Sequence, residues 1–394
     1  MQRRDFLAVA LGGSILPQIA HAAQSTSPAP LRVALIGHTG HGDYGHGVDR
    51  VWASIPRTKV VGVADADASG LAAARVRLGG APGFADYRTM LSELRPEVVA
   101  VCPRHAHEHR DMIVAALTSG ARALYIEKPF TRTCAEADEV IALARSRGAT
   151  LTVAHRNRPH PALPVLKRYL DEGSLGNLLE VRARGKEDQR GGAQDLWVLG
   201  GHLFDTATLF TGPAIACTAG VYQGGRPATR ADVHDGAEGV GPIVGDEIHA
   251  RFDTSSGVPI FYDSKKGAGS VAAGFGLQIV CARGLVDLRM DIDPLVHVQQ
   301  GSPFEPTTAP RRWVPLTSAG LGTPEPVAGL TKRLLGHVAG VEDLLDAMRD
   351  GREPLCGPVA ALRTIEMTQG VFASFVAGTR VTLPLAQRTT PLGE

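Results

Sequence analysis

The segment Ala121-Arg122-Ala123-Leu124-Tyr125-Ile126-Glu127-Lys128-Pro129-Phe130 is the part of the chain around which the rest is arranged. Its first six residues are mainly apolar and predict a buried strand. Glu127, Lys128 and Pro129 follow directly, and the proline fixes the backbone and permits a cis bond. Because ligands of open α/β sheets bind outside the carboxyl ends of the strands, Lys128 is well placed to meet a substrate. The alternative is a surface lysine followed by a turn proline.

Strand and helix patterns alternate on both sides of this segment. The predicted strands before and after it lie at residues 31–36, 59–64, 97–102 and 150–154. The predicted helices lie at residues 48–55, 71–78, 87–94, 108–119 and 135–147. Strands that alternate with helices predict an α/β fold with a doubly wound parallel sheet, which we assign to a first domain at residues 31–155.

A glycine-rich turn follows the first strand, and an acid follows the second. The turn runs from Gly37 to Gly47, and Asp65 comes directly after residues 59–64. Strand, glycine turn, helix, strand and acid is the order of a dinucleotide-binding unit. A carboxylate at this place accepts both ribose hydroxyls and repels a 2′-phosphate, which favours NAD over NADP. The candidate cofactor residues in this unit are Gly37, His38, Thr39, Gly40, Gly42 and Asp65.

The glycine pattern departs from the usual one. Thr39 stands where the second glycine of G-x-G-x-x-G belongs, and the loop is about one residue longer than usual. A plain turn between a strand and a helix is therefore the alternative to a nucleotide loop.

Histidines and cysteines do not predict a metal site. His105, His107 and His109 alternate with other residues on a loop that enters a helix, which should scatter their rings, and no carboxylate pattern completes a site. The five cysteines are far apart and form no CxxC pair, so we expect buried apolar side chains.

The second half of the chain has a different pattern. Helices are predicted at 163–171, 197–210, 329–350 and 358–377, and strands at 178–184, 247–252, 260–263, 276–281, 285–289 and 380–383. Residues 294–327 are rich in proline and predict a long loop or arm. We expect an α+β domain with a large, mostly antiparallel open sheet at residues 156–385, followed by a tail at 386–394.

The beginning of the chain is read as a targeting segment. Arg3 and Arg4 precede an apolar run broken by glycine and proline, and Ala20-His21-Ala22 is a small-x-small cleavage site. This pattern predicts a twin-arginine export signal at residues 1–23, hence a periplasmic or otherwise exported protein, with a flexible linker at 24–30. A net charge of +1 and 21% charged residues give no indication of nucleic-acid binding, and no run predicts a membrane span.

Several motifs together resemble the glucose–fructose oxidoreductase, inositol dehydrogenase and MocA family (Gfo/Idh/MocA). Pro103-Arg104-His105-Ala106-His107 is similar to the family's T-P-N-x-x-H, and Glu127-Lys128-Pro129 matches its most specific motif. Gly201-His202-Leu203-Phe204-Asp205 is similar to its G-x-H-x-x-D. The glycine turn with Asp65, and the chain end from Met348 to Leu385, also resemble the family.

The resemblance implies a Rossmann domain that holds NAD(P), a second domain that covers the nicotinamide and mediates homo-oligomers, and sugar-like or cyclitol substrates. It implies that Lys128 hydrogen-bonds the reacting oxygen and that His202 exchanges its proton. It adds Pro103, His107, Glu127 and Lys128 to the cofactor site. Both catalytic types suit the chemistry, because hydride removal from a carbinol needs a base for the hydroxyl proton.

One departure concerns the acid expected four residues before the histidine, where this chain has Val198. Asp195 is close in sequence, and the charged loop at residues 186–190 could supply the missing group, although a solvated loop is the alternative. The candidate substrate residues are Arg158, Lys186, Asp188 and Asp205.

Three functions follow from these residues. The first is an NAD(P)-dependent oxidoreductase that moves a hydride between a tightly bound nicotinamide and a sugar- or cyclitol-like substrate. The alternative is an NAD-using glycosidase or lyase that oxidises a sugar transiently with no net redox change. A sugar-binding or assembly protein on the same fold is a third, although the presence of both Lys128 and His202 argues against it.

Overall fold

The structure is a computed structural model that describes residues 29–269, 274–293 and 295–393. The predicted export signal at residues 1–23 lies outside the described residues, as does most of the predicted linker. Among the described residues, no helix combines the length and apolarity needed to cross a membrane.

The first sheet is parallel and has six strands. They are β1 (Leu31–Ile36), β2 (Thr58–Ala64), β3 (Gly83–Phe84), β4 (Val98–Val101), β5 (Ala123–Ile126) and β6 (Thr150–Val153). Their order across the sheet is β3-β2-β1-β4-β5-β6. The chain places β2 and β3 on one side of β1 and then β4, β5 and β6 on its other side. Every residue of β4 and β5 is buried, because helices cover both faces of the sheet. The predicted doubly wound fold is confirmed.

Helices connect these strands. They are α1 (Ala68–Arg77), α2 (Tyr87–Leu94), α3 (Ala106–Thr118) and α4 (Cys134–Arg147). Their ends follow local rules: Asp86 caps α2, Thr133 and Glu136 form a capping box on α4, and Gly148 ends α4 in the left-handed conformation.

The helix predicted at residues 48–55 is wrong. Residues 39–50 form a series of turns, and only Val51–Ser54 form a short 3₁₀ helix. Gly40, Gly42, Gly45 and Gly47 all have positive φ angles, which interrupt any helical run. The connection from β1 to β2 is therefore a folded loop. In a usual dinucleotide-binding unit, a helix begins at this place and its N-terminus faces the ligand.

The second sheet is mostly antiparallel. Its strands are β7 (Leu178–Arg184), β8 (Ala214–Gln223), β9 (Arg226–Pro227), β12 (Glu247–Thr254), β13 (Ile260–Lys265), β14 (Gly276–Cys281), β15 (Gly284–Arg289), β16 (Val296–Gln300), β17 (Trp313–Thr317), β18 (Gly320–Leu321) and β19 (Val381–Thr382); β10 (His234–Asp235) and β11 (Pro242–Ile243) pair separately. Only the β7–β13 pair runs parallel among its described pairings. The predicted fold class of the second half is confirmed.

The prediction of a long loop or arm at residues 294–327 is wrong in part. β16 and β17 lie within it and pair with each other in antiparallel register. Val296, Val298 and Leu316 are buried, so alternate side chains anchor these strands to the core. The prolines that suggested a loop lie mainly in the connections outside the two strands.

The remaining helices pack against both sheets. They are α5 (Ala162–Asp171), α6 (Ala193–Asp195), α7 (Gly201–Thr211), α8 (Leu330–Leu335), α9 (Val338–Asp350) and α10 (Pro358–Ala377), with a π-helical turn at Leu196–Gly200 before α7. α9 returns to the first sheet, where Val341, Leu344 and Leu345 share a core with Tyr125. The five cysteines are free and buried, as predicted.

Phe204 on α7 anchors the helix to the second sheet. Its ring centre lies 5.2 Å from that of Phe252 and 5.3 Å from that of Tyr262. We expect Phe204→Ala to lower the free energy of unfolding by about 3–5 kcal/mol, because it removes a buried aromatic ring and leaves a cavity. Chemical denaturation measures the change. Val76→Ala, at a side chain 83% exposed on α1, is the control and should change the value by less than about 0.5 kcal/mol.

Candidate active site

The candidate site begins where β5 ends. Glu127 and Lys128 follow Ile126 at the carboxyl edge of the first sheet, and the Lys128–Pro129 peptide bond is cis. Both side chains are buried, with Glu127 0% and Lys128 7% exposed. A buried lysine and glutamate at this edge exclude the alternative of an ordinary surface lysine.

Lys128 points toward the second half of the chain. Its Nζ donates a hydrogen bond of 3.1 Å to the carbonyl oxygen of Val198. Val198 lies in the π-helical turn Leu196–Gly200, a geometry that often occurs at functional sites. The residue that lacks the expected carboxylate thus supplies its backbone carbonyl to the lysine. Burial lowers the pKa of the Lys128 ammonium, although the charge of Glu127 acts in the opposite direction.

Glu127 is held as a carboxylate. Its Oε1 receives a hydrogen bond from His46 Nδ1, and its Oε2 accepts from the backbone N–H of Lys128 at 3.1 Å. Burial alone would raise the pKa of Glu127, but the hydrogen bond and charge of His46 and the charge of Lys128 hold it at about 2. Glu127 is therefore an anion that positions its neighbours.

His202 reaches the same place from α7. Its ring is 5% exposed, and its centre lies 5.3 Å from that of His155 and 6.2 Å from that of Phe275. Burial lowers its pKa well below the usual value, and the nearby charges of His155 and Lys128 lower it further. Within the described part of the chain, His202 Nδ1 has no hydrogen-bond partner. A neutral imidazole with a free nitrogen is able to accept a proton.

One small cavity joins these side chains. Its lining is His46, Glu127, Lys128, Ala154, Arg156, Leu199, His202, Asp291 and His337. Its volume is about 30 Å³, far below the roughly 300 Å³ of a typical ligand pocket. A substrate must therefore displace some of the lining before it reaches Lys128 and His202.

Polar residues that the sequence did not single out complete this cavity. Arg156 pairs with Asp291 through two hydrogen bonds of 3.0 and 2.5 Å. His337 Nδ1 lies 3.0 Å from the hydroxyl oxygen of Tyr125. His155 stands behind His202, and neither of its ring nitrogens has a partner among the described residues. These groups suit a ligand that carries several hydroxyls.

The buried histidines make stability depend on pH. Burial lowers the pKa values of His155 and His202 in the folded protein, whereas the unfolded chain has the ordinary value of about 6.5. The unfolded state therefore binds more protons below that pH, and the free energy of unfolding should fall on acidification by up to about 1.4 kcal/mol per pH unit for each histidine. Denaturation series between about pH 7 and pH 5 measure the slope. His155→Gln should make the slope shallower; an unchanged slope would contradict this origin.

Six of the predicted cofactor residues lie after the ends of β1 and β2. Asp65 is buried and accepts from the Thr39 N–H at 3.1 Å and from the Thr39 hydroxyl at 2.7 Å. Tyr44 packs on Gly37, where an added Cβ would lie 2.2 Å from the ring. The Tyr44 hydroxyl has no partner among the described residues, and burial, followed by the charge of Asp65, raises its pKa. A carboxylate with two hydroxyls beside it is a donor and acceptor set that fits a ribose.

The glycine turn contacts the loop that precedes α3. Gly42 approaches so closely that a Cβ would lie 2.5 Å from the backbone nitrogen of Arg104, and its φ is +86°. A Cβ on Gly40 would point into open space. Pro103 is buried beneath this contact and accepts from His109 Nε2 at 2.7 Å through its carbonyl oxygen.

The expectation that the histidines near residue 105 scatter is wrong for two of them. The rings of His105 and His107 lie 5.7 Å apart, and His41 and His38 from the glycine turn join them. Glu108 supplies the carboxylate that the sequence pattern did not reveal. The two loops are far apart in the sequence, and folding brings them together.

The predicted substrate residues lie outside the small cavity. Arg158 donates to the backbone oxygen of Asp205 at 2.7 Å and pairs with its carboxylate at 3.3 Å. Asp188 is bound by Arg190, and Lys186 lies half-buried on the same loop. Asp195 is buried too, but it accepts from the Glu187 N–H and the Ser264 hydroxyl. Their role as substrate contacts stays a prediction.

Comparisons with known proteins agree with this geometry. Residues 31–155 match the model of the Gfo/Idh/MocA oxidoreductase family, described as an NAD-binding Rossmann fold. The uncharacterized oxidoreductase YhhX of Escherichia coli K12 is 36% identical over 98 residues, 25% of this chain and 28% of that protein. The D-glucoside 3-dehydrogenase of the same organism is 31% identical over 208 residues, 48% of this chain and 56% of that protein.

The fold as a whole is also found in a solved structure. Levoglucosan dehydrogenase in complex with NADH and levoglucosan has a TM-score of 0.71 and 19% identity, covering 90% of this chain and 100% of that one. The matched segments span less than two thirds of YhhX and of the D-glucoside 3-dehydrogenase. The six-stranded parallel sheet thus agrees with the fold named by the family model that residues 31–155 match, an NAD-binding Rossmann fold.

Proposed function

We propose that this chain, whose residues 31–155 match the NAD-binding Rossmann fold of the Gfo/Idh/MocA oxidoreductases, is an NAD-dependent dehydrogenase of a sugar- or cyclitol-like substrate. The observation that carries the proposal is the meeting of Lys128 and His202 in one buried cavity. Lys128 comes from the end of a Rossmann strand and His202 from a helix of the second half. A substrate between them would lie at the sheet edge where ligands of this fold bind.

Lys128 and His202 have separate roles at the substrate hydroxyl group. His202 is neutral and takes the proton from the substrate hydroxyl, and Lys128 donates a hydrogen bond to the same oxygen. Glu127 and the carbonyl oxygen of Val198 hold the lysine in place. NAD, when bound, supplies the acceptor for the hydride that leaves the carbinol carbon. In the reverse direction His202 returns the proton to the oxygen.

Polyhydroxylated substrates are supported by the cavity and by the relatives. Arg156, Asp291, His337 and His46 offer donors and acceptors around the two catalytic residues. Two of the relatives are named as dehydrogenases of a D-glucoside and of levoglucosan. The test is NADH formation with a panel of aldoses, anhydrosugars, glycosides and cyclitols. The comparisons lend no support to the glycosidase or lyase alternative.

Asp65 should determine the choice between NAD and NADP. Its carboxylate lies at the end of β2, where it repels a 2′-phosphate. We expect Asp65→Asn to lower the ratio of kcat/KM for NAD to that for NADP by about 10- to 100-fold, because the amide keeps an acceptor for Thr39 but loses the charge. Steady-state kinetics with each added cofactor, on protein first freed of its bound nucleotide, measure the ratio. Asp67→Asn, at the neighbouring exposed cap of α1, is the control and should leave it unchanged.

We also propose that residues 1–23 direct export by the twin-arginine route, which carries folded proteins with their cofactor bound. The support is the Arg3-Arg4 pair with its apolar run and cleavage site. Export should fail when both arginines are replaced with lysine, as measured by cell fractionation.

Nucleotide released from the heat-denatured mature protein should be NAD at about one per chain. Protein that is isolated free of nucleotide would contradict tight binding.

We also propose that the chain self-associates through the second sheet. Leu179, Ile215 and Trp313 lie on three of its strands, and each is at least 40% exposed. These three strands are not neighbours in the sheet, so one partner would cover all three side chains only if it spans the sheet, as a second copy of the sheet could. Sedimentation analysis should show an oligomer that Ile215→Lys weakens.

A further inference from the structure

A cluster of imidazoles lies on the two loops that follow β1 and β4. His38 and His41 belong to the glycine turn, and His105, His107 and Glu108 belong to the start of α3. The cluster shares no residue with the cavity of Lys128 and His202. His38 and His107 are among the predicted cofactor residues, so the cluster lies beside the predicted nucleotide loop, but no step of the proposed reaction uses its imidazoles.

The cluster is organised around one carboxylate. Glu108 Oε1 lies 2.8 Å from His38 Nδ1, 2.6 Å from His41 Nδ1 and 3.8 Å from His107 Nε2. The rings of His38 and His41 stack with centres 4.1 Å apart, and those of His41 and His105 stack at 5.0 Å. An ionised glutamate needs fewer hydrogen-bonding partners than the three imidazoles that lie near Glu108.

The ligand atoms are close enough to share an ion. One nitrogen each from His41, His105 and His107 lie within 4.8 Å of one another, and so do the ligand atoms of His38, His41 and Glu108. Two ligands of a tetrahedral zinc ion are about 3.3 Å apart, given bond lengths of about 2.0 Å. Side-chain movements of up to about 1.5 Å would therefore bring the nitrogens to coordination distance.

The backbone around the cluster is fixed by close packing. Gly42 lies against the backbone of Arg104, so the two loops that carry the histidines are held together. Gly239 presses on the other side, where an added Cβ would lie 1.9 Å from His107 Nδ1. The side chain of His107 is nevertheless 40% exposed and that of His41 45%, which leaves a path for an ion from solvent.

We propose that His41, His105 and His107 bind a divalent transition metal of the zinc type, with Glu108, which contacts His41, as a nearby carboxylate donor. Imidazole nitrogen with one carboxylate is a donor set for zinc, copper or nickel, whereas calcium and magnesium require mainly oxygen ligands. His38 lies beside Glu108 and orients its carboxylate. The proposed metal site overlaps the predicted cofactor loop, which carries His38 and His41, but neither the metal nor these histidines takes a proton or a hydride in the proposed dehydrogenase chemistry.

The test is zinc binding to the full-length mature protein, purified without a histidine tag, treated with a chelator and freed of nucleotide. Isothermal titration with ZnCl₂ should show one saturable site per chain, and elemental analysis after dialysis should find one zinc. We expect the double variant His105→Ala/His107→Ala to bind zinc at least about 100-fold more weakly, since loss of outer partners alone weakens metal sites 10- to 100-fold. Calcium and magnesium should show no saturable binding.

His249→Ala is the matched control, because this exposed imidazole also contacts two carboxylates, Glu247 and Asp263. It should keep the affinity of the unchanged protein. His41→Ala, on the exposed side of the loop, provides a second variant if the double variant does not fold, and circular dichroism checks both. Absence of saturable binding, or full affinity in a folded His41→Ala and double variant, would overturn the proposal. Because nucleotide is absent from these titrations, their result is independent of whether the protein is a dehydrogenase.

Discussion

Replacement of Lys128 with methionine is expected to lower kcat for NAD-linked oxidation by about 10³-fold. Methionine retains the volume and length of the buried stem but cannot donate to the substrate oxygen. The variant also loses the hydrogen bond to the Val198 carbonyl, which in the unchanged protein holds the Lys128 Nζ in position. The substrate oxygen therefore has no positioned donor in the variant. Because Glu127 keeps its hydrogen bond from His46, the buried anion retains a partner and the protein should still fold.

The measurement is steady-state kinetics with NAD and the best substrate of the panel, with circular dichroism to confirm folding. Lys167→Met is the matched control, because Lys167 is an exposed lysine on α5 that pairs with Asp171. The control should change kcat less than about twofold, as is usual for an exposed ion pair. If a folded Lys128→Met retained kcat within a factor of about ten, Lys128 would not act on the reacting oxygen.

Replacement of His202 with glutamine is expected to lower kcat by about 10²- to 10⁴-fold and to change the pH profile. In the unchanged protein the imidazole is neutral across the neutral range, because burial and the neighbouring charges lower its pKa. The rate should therefore fall only at acid pH, where His202 gains a proton. The variant has no base at this position, so that acid limb should disappear and the rate should rise with hydroxide concentration.

The comparison of kcat against pH for the two proteins separates a base from a structural role. A histidine that only packs against His155 and Phe275 would change stability or KM but would leave the shape of the profile intact. His249→Ala serves as the control here too, since His249 lies on β12 away from the cavity. An acid limb that persists in His202→Gln would assign the base to another group.

Much of the first sheet was predictable because its signals are local. The apolar runs at β1, β4, β5 and β6 are short and end in turn residues, so their length and flanking residues place them as strands. The same rule that placed Lys128 at a strand end also holds for His155 and Arg156, which follow β6. Application of that rule to every strand would have predicted both residues as part of the site.

Other parts depend on contacts between distant segments. The loop after β1 folds through successive glycines with positive φ angles, and its path is set by packing against Arg104 and Tyr44. His46 reaches Glu127 by this path, and His337 reaches Tyr125 at the connection between α8 and α9. No sequence spacing relates His46 or His337 to Lys128, so these contacts were not predictable.

The carboxylate missing at Val198 shows how backbone can replace a side chain. The sequence indicated that a charged group from residues 186–190 could fill the gap, but Asp188 pairs with Arg190 outside the cavity. The π-helical turn instead presents the Val198 carbonyl to Lys128. Such a turn has no side-chain pattern of its own, which is why the sequence did not reveal it.

We propose that a sugar-like hydroxyl is oxidised between Lys128 and His202 with net reduction of NAD. Simultaneous measurement of NADH and of the oxidised product, in the unchanged protein and in Lys128→Met, tests it most directly. We predict that NADH and the ketone or lactone form in equal amounts and that both are lost in the variant. Release of a leaving group from a glycoside without accumulation of NADH, or NADH formation that survives in Lys128→Met, would contradict the claim.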